Sequence, residues 1–332
     1  MAAPRRTASI KIDRRSFQKA VDGMVANVAT VIKGKEDVIR RALIAMLADG
    51  HILFEDAPGT GKTMLSRALS ETISAQSTRI QCTPDLLPSD VTGSPVLDRK
   101  SGDFVFRPGP IFGNVVLADE INRATPKTQS AFLEAMQERT ITSDGVTYPL
   151  PKPFFVLATQ NPIELSGTFP LPEAQLDRFM FKLTLGYLDR QAESEALDAH
   201  QRGEPIADLT SVIDVQTFVE MRDWAQGVTL SEAVRLYIVD LIQATRDDAA
   251  IQLGASMRAS LALMRAARVL AASQGREDVL PDDVSTLAAP VLEHRLILSP
   301  DAVLREETVA QAIERILARV KVPLGVRAEA TV

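Results

Sequence analysis

A chain of 332 residues is too long for one ordinary hydrophobic core, so two packed units are expected at roughly 150 residues per domain. Apolar residues at 45% and charged residues at 24% exclude a disordered or fibrous chain, and a net charge of -6 leaves no global field to draw it to nucleic acid or an anionic membrane. Cys82 is the sole cysteine, which excludes an intrachain disulfide, while His51, His200 and His294 lie at no metal-ligand spacing and read as structural or surface residues.

The first 19 residues carry Arg5, Arg6, Lys11, Arg14 and Arg15 with no apolar stretch behind them. That layout is not a secretory signal; it reads as a basic, solvated tail on a cytoplasmic protein. No apolar run reaches transmembrane length, so no membrane insertion is expected. Residues 35–48 place Ile39, Leu43, Met46 and Leu47 at helical spacing. A short strand, Ile52-Leu53-Phe54, follows, and further apolar runs recur at 78–81, 115–118, 154–158 and 180–184, separated by helical or loop sequence. Such alternation predicts a largely parallel α/β sheet. Two pieces interrupt it: 95–97 and 104–106 flank a polar turn, and 140–142 and 146–148 flank Asp144-Gly145, a hairpin-turn dipeptide. Both are predicted β-hairpins. Beyond Tyr187 the strands stop, and 215–226, 232–246, 257–274 and 303–320 read as helices of an all-α second domain. Gly203 and Pro205 break the helix begun near Arg190. The expected organisation is a basic tail 1–19, an α/β core 20–200, a helical lid 201–320 and a C-terminal tail 321–332.

A phosphate-binding loop needs inward backbone N–H groups, small residues where phosphates approach, a lysine for charge and a hydroxyl for Mg²⁺. Asp56-Ala57-Pro58-Gly59-Thr60-Gly61-Lys62-Thr63 supplies all of these between the strand at 52–54 and a helix opening at Lys62. Ala57, Pro58, Gly59, Thr60, Gly61, Lys62, Thr63 and Met64 are therefore the expected ATP contacts, with Thr63 also on the metal. Asp56 stands where the general pattern has Gly, so its carboxylate must point away from the phosphates. The run Val115-Val116-Leu117-Ala118-Asp119-Glu120 is a buried strand ending in two carboxylates, and parallel strands present their C-terminal ends to the ligand crevice. Asp119 is the expected Mg²⁺ ligand and Glu120 the residue that polarises the attacking water. The strand at 154–158 runs into Asn161, which can hydrogen-bond both that water and the γ-phosphate.

These segments, in this order, resemble the AAA+ ATPases, and the match narrows to the MoxR family at ADEINRATPKTQSAFLEAMQER, FFVLATQNPIELSGTFPLPEAQLDRF and GASMRASLALMRAARVL. The resemblance implies an AAA+ core with strand order 5-1-4-3-2, a helical lid, β-hairpin inserts leaning toward a central opening, and ring-shaped, often hexameric assembly. Lys62, Thr63, Asp119 and Glu120 match its two nucleotide motifs and Asn161 its first sensor. Arg178 looks like the arginine finger, acting on the neighbouring subunit, with Arg123 the competing candidate. Arg258 matches the second sensor, although Met257 stands where the family usually has Pro. The family also implies ATP and Mg²⁺ as ligands, chaperone-like remodelling of protein complexes, and a von Willebrand factor A domain protein as partner. Two other readings stand beside it, a nucleic-acid translocase and a nucleotide-gated scaffold. Mixed charge at the first hairpin turn (Asp98, Arg99, Lys100, Asp103) and no Lys or Arg at the second speak against nucleic acid as a partner.

Overall fold

Eleven strands in chain order are β1 (His51–Glu55), β2 (Ser77–Gln81), β3 (Gly93–Leu97), β4 (Phe104–Pro108), β5 (Val115–Asp119), β6 (Thr140–Ser143), β7 (Val146–Pro149), β8 (Phe155–Gln160), β9 (Phe179–Leu183), β10 (Ile251–Leu253) and β11 (Ile297–Leu298) among the described residues. The computed structural model describes residues 12–57, 59–161, 167–201 and 203–323. Five strands form one sheet in the order β2-β5-β8-β1-β9, every neighbouring pair parallel. Counting only these five, the order is the expected 5-1-4-3-2, read from the other edge. Their side chains alternate between two apolar clusters: Ile52 and Phe54 enter one, Leu53 the other, and Val115 and Leu117 oppose Val116 and Ala118 in the same way. A sheet buried on both faces needs such continuous apolar strands.

One of those clusters does not stop at the α/β unit. It runs from Phe17 and Leu43 through Phe155 to Leu263, Val284 and Ile313, so the helical unit shares a continuous core with one face of the sheet. The helices α1 (Arg14–Ala29), α2 (Glu36–Leu47) and α3 (Lys62–Thr72) lie on that side. Here the tail assigned to 1–19 needs correction. Helix α1 starts inside it, capped by Asp13, whose Oδ1 accepts from Ser16 N at 2.8 Å while Ser16 Oγ accepts from Asp13 N at 2.8 Å. Phe17, Val21, Met24 and Val28 are fully buried, so Arg14 and Arg15 open an amphipathic helix rather than belonging to a solvated tail.

The helical unit follows the expected segments, with three additions. The 303–320 helix is two, Pro300–Leu304 and Val309–Arg319, because Ser299 and Thr308 each cap a separate start and Glu306 turns at φ 57 between them. A helix at Pro281–Leu292, unforeseen because it contains Pro290, packs Val284, Leu287 and Val291 into the core. The unit also carries a short antiparallel ribbon, β10 with β11.

Both hairpins form, β3 with β4 and β6 with β7. Asp144 (φ 48) and Gly145 (φ 77) supply the two left-handed positions the second turn requires. At the base of the first, Gly93 (φ 90) permits a close crossing, since a Cβ there would lie 2.2 Å from the Arg107 carbonyl oxygen. The hairpins touch: Phe106 stacks on Tyr148 with ring centroids 4.1 Å apart.

Candidate functional site

The phosphate loop follows β1 and ends at Gly61, whose φ of 94 caps α3. The N–H groups of the first turn of α3 have no intrahelical acceptors and, with the helix dipole, favour an anion there. Lys62 Nζ folds back onto the loop, donating to the Ala57 carbonyl at 2.8 Å and Thr60 Oγ1 at 3.2 Å. Asp56 is buried at the wall of the same cleft, with its carboxylate taken up by Leu185 N at 2.6 Å and Gly186 N at 2.9 Å. Its carboxylate therefore ties the start of the loop to the segment leaving β9.

Parallel registry brings the acidic pair and the polar strand ends to the same edge, pairing Gln81 with Asp119, Ala118 with Ala158 and Phe54 with Thr159. Thr159 is the joint. Its Oγ1 donates to Asp119 Oδ1 at 2.7 Å and accepts from Glu120 N at 2.8 Å, holding Glu120 at φ 55. Glu120 Oε2 accepts from Arg123 Nη1 at 3.0 Å and Gln81 Nε2 at 3.2 Å, and Asp119 Oδ2 accepts from Arg79 Nη2 at 2.7 Å. Gly59, Thr60, Gly61, Lys62, Thr63 and Met64 line one cleft of about 420 Å³ with Asp119, Glu120 and Asn161. Ala57 contributes its carbonyl to Lys62, and Pro58 lies outside the described residues. The Thr63 hydroxyl and the Asp119 carboxylate are hard oxygen donors on one cleft, a donor set that fits Mg²⁺. Arg67, Arg79 and Gln81 also line the cleft without having been foreseen. Arg79 and Gln81 stand two apart on a strand ending at the crevice, and that spacing was the available signal. Cys82 nearby is inert: burial, then Asp119 and Glu120, pushes its thiol up to about 12.

Arg178 and Arg258 are brought together, but not into this cleft. Arg178 directly precedes the first residue of β9, which runs parallel to β1, whereas the phosphate loop follows the last residue of β1. Five residues at about 3.3 Å each separate the two sheet edges by roughly 15 Å. At the far edge a second cavity of about 430 Å³ is lined by Arg178, Arg258, Asp177, Arg139, Arg265 and His51, among others, and shares no lining residue with the first. Burial and then Arg258 lower the Arg178 pKa from its ordinary value, opposed by Glu138 and Glu134. Among the described residues Arg178 forms no ion pair, and its buried Nε meets no acceptor. Arg123, in contrast, is already paired with Glu120. His51 is a structural member of the far cavity. Its Nδ1 accepts from Val156 N at 3.0 Å, so Nε2 donates to the Met136 carbonyl at 3.1 Å, and burial pushes its pKa down to about 3.

Comparison with known proteins bears on the family and the fold. The family described as "ATPase family associated with various cellular activities (AAA)" matches residues 51–181, and an AAA lid domain matches residues 243–316. The chain is similar to YeaC of Bacillus subtilis, 48% identical over 300 residues that span 90% of this chain and 94% of that protein. It is 38% identical to Chaperone MoxR1 of Mycobacterium tuberculosis over 90% of this chain and 81% of the relative, and 33% identical to Protein MoxR of Paracoccus denitrificans over 88% and 93%. A crystal structure from Cytophaga hutchinsonii superposes with a TM-score of 0.88 at 39% identity, covering 93% of this chain and 97% of that one.

Proposed function

The chain belongs to the MoxR family of AAA+ ATPases, and from that membership we propose that it hydrolyses Mg·ATP in a homo-oligomeric, hexameric ring. Turnover is coupled to chaperone-like remodelling or maturation of partner protein complexes in the cytoplasm, with a von Willebrand factor A domain protein as adaptor. One observation carries the reading: the nucleotide residues share a cleft at one sheet edge, while Arg178 and Arg258 share a cavity at the opposite edge. One subunit therefore holds two half-sites, and a neighbour in a ring completes each.

Within a completed site, Lys62 and the α3 N-terminus bind the phosphates, and Asn161 orients water toward them. Glu120, steadied by Thr159, Arg123 and Gln81, accepts the proton of that water. A bound Mg²⁺, held by Thr63 and Asp119, would neutralise phosphate charge. The neighbour's Arg178 neutralises charge developing on the γ-phosphoryl group, a contribution on the order of a thousandfold or more in rate, and Arg258 joins it. The name of the M. tuberculosis relative supports a chaperone role, and mixed charge at the first hairpin turn with no Lys or Arg at the second supports protein rather than nucleic acid as the client.

Hydrolysis per subunit, measured across the protein concentrations at which sedimentation reports assembly, tests this reading. The rate should climb with assembly, and Glu120→Gln rings should hold ATP and retain partners on affinity capture, a von Willebrand-type protein among them. A per-subunit rate that is flat through assembly would contradict it.

A further inference from the structure

Asp177, the residue before Arg178, has a carboxylate held by donors from the helical unit. Arg295 Nε donates to its Oδ1 at 2.7 Å, Ser256 Oγ donates to its Oδ2 at 2.9 Å, and Arg258 Nη1 lies 3.8 Å from Oδ2. Arg295 is only 6% exposed and continues along the same segment. Its Nη2 donates to the carbonyls of Phe179 at 2.6 Å and Asp177 at 3.2 Å, and its Nη1 to that of Met180 at 3.1 Å. All of these acceptors fall within residues 177–180, the stretch that carries Arg178. The other half of the grip is the cap: Ser256 begins the helix Met257–Ser273, and Arg258 is that helix's second residue.

Docking the helical unit does not by itself require a carboxylate here, because Arg295 already has backbone acceptors. What Asp177 adds is a negative charge beside Arg295 and Arg258, which line one cavity with Arg178 and would otherwise repel. We propose that Asp177 is a positioning residue that clamps the helix start bearing Arg258 to the strand start bearing Arg178, so that both guanidinium groups reach the neighbouring subunit as one unit. The inference rests on the cross-interface reading of Arg178.

Asp177→Asn keeps the size and one acceptor and removes the charge. Folded Asp177→Asn should bind ATP with native affinity, yet turn over about tenfold to a hundredfold more slowly, the range expected when a reacting group is displaced by about 1 Å. Mixed rings give the readout that a merely structural defect would not. Asp177→Asn subunits have an intact phosphate loop and should recover activity with Lys62→Ala subunits, which have an intact arginine pair. They should recover none with Arg178→Ala subunits, which lack the same function. Asp177→Asn leaves Arg295 buried beside a neutral partner, a costly arrangement. If it fails to fold, Asp177→Asn with Arg295→Met removes both charges and carries the same expectations.

Native turnover, a loss of ATP affinity matching the loss of turnover, or recovery with Arg178→Ala would overturn the clamp. So would failure with Lys62→Ala in rings where Arg178→Ala succeeds. Failure of Arg178→Ala itself to complement Lys62→Ala would instead strike the cross-interface reading, and the clamp with it.

Discussion

Lys62 and Glu120 share one cleft, and the proposed mechanism has them act at different moments. With Lys62 on phosphate in the ground state, Lys62→Ala should lose nucleotide binding. With Glu120 acting on the water during reaction, Glu120→Gln should bind ATP normally and lose turnover. Equilibrium binding beside steady-state hydrolysis separates the two, and native hydrolysis by Glu120→Gln would remove Glu120 from the mechanism. His51 supports a different prediction. It is neutral in the fold, with a pKa of about 3 against 6.5 when free, so its contribution is complete above pH 6.5 and is lost as pH falls from there toward 3. At pH 5 the loss is roughly 2 kcal/mol by linkage. Chemical denaturation at pH 7.5 and 5 should show it, and His51→Gln should show a smaller loss; equal losses would refute the assignment. Much of the cleft was legible at this scale because a phosphate loop is contiguous in sequence. Arg79 and Gln81 were not, since their meaning comes from pairing β2 with β5, which brings Gln81 beside Asp119. Asp56 was half legible: its departure from Gly required an outward carboxylate, but only the fold supplies Leu185 and Gly186 as donors.

At the scale of elements, short apolar runs marked β1, β5, β8 and β9, because strands buried on both faces leave no alternative pattern, whereas β2 at the sheet edge buries only Ile80 among polar neighbours. Helix α1 was hidden by the arginines around its start, which outweighed an apolar stripe at Phe17, Val21, Met24 and Val28. Phe17→Ala should therefore cost about 3–5 kcal/mol, as for other large buried aromatics. Urea unfolding measures it, and a loss below about 1 kcal/mol would return α1 to a loosely attached tail. The two-helix ending was illegible for another reason: helical spacing continues across residues 305–308, and only the caps at Ser299 and Thr308 reveal the break. The hairpins carry a prediction of their own. Their tips expose Leu97 and Phe104 beside charges of both signs and Val146 beside Asp144 with no Lys or Arg, so duplex DNA should neither bind appreciably at physiological salt nor stimulate hydrolysis. Salt-sensitive binding with stimulated hydrolysis would favour a translocase.

Across the whole molecule the decisive feature is direction. Because β1 and β9 run parallel, a group placed before β9 and a loop placed after β1 must sit at opposite edges of the sheet, whatever the lid does. The resemblance alone named Arg178 as a finger, and the topology explains why it is distant from its own phosphate loop. Arg123 is already paired with Glu120, which lines the chain's own cleft, and is the weaker candidate for reaching a neighbour. If catalysis is completed across a subunit interface, as proposed, mixed rings must behave differently from either variant alone. Arg178→Ala subunits keep the phosphate loop and Lys62→Ala subunits keep the arginine, so each alone should be nearly inactive. Mixed, and shown by sedimentation to co-assemble, they should regain hydrolysis that neither shows alone. If co-assembled mixtures stay as inactive as the separate variants, Arg178 does not act on its neighbour's nucleotide.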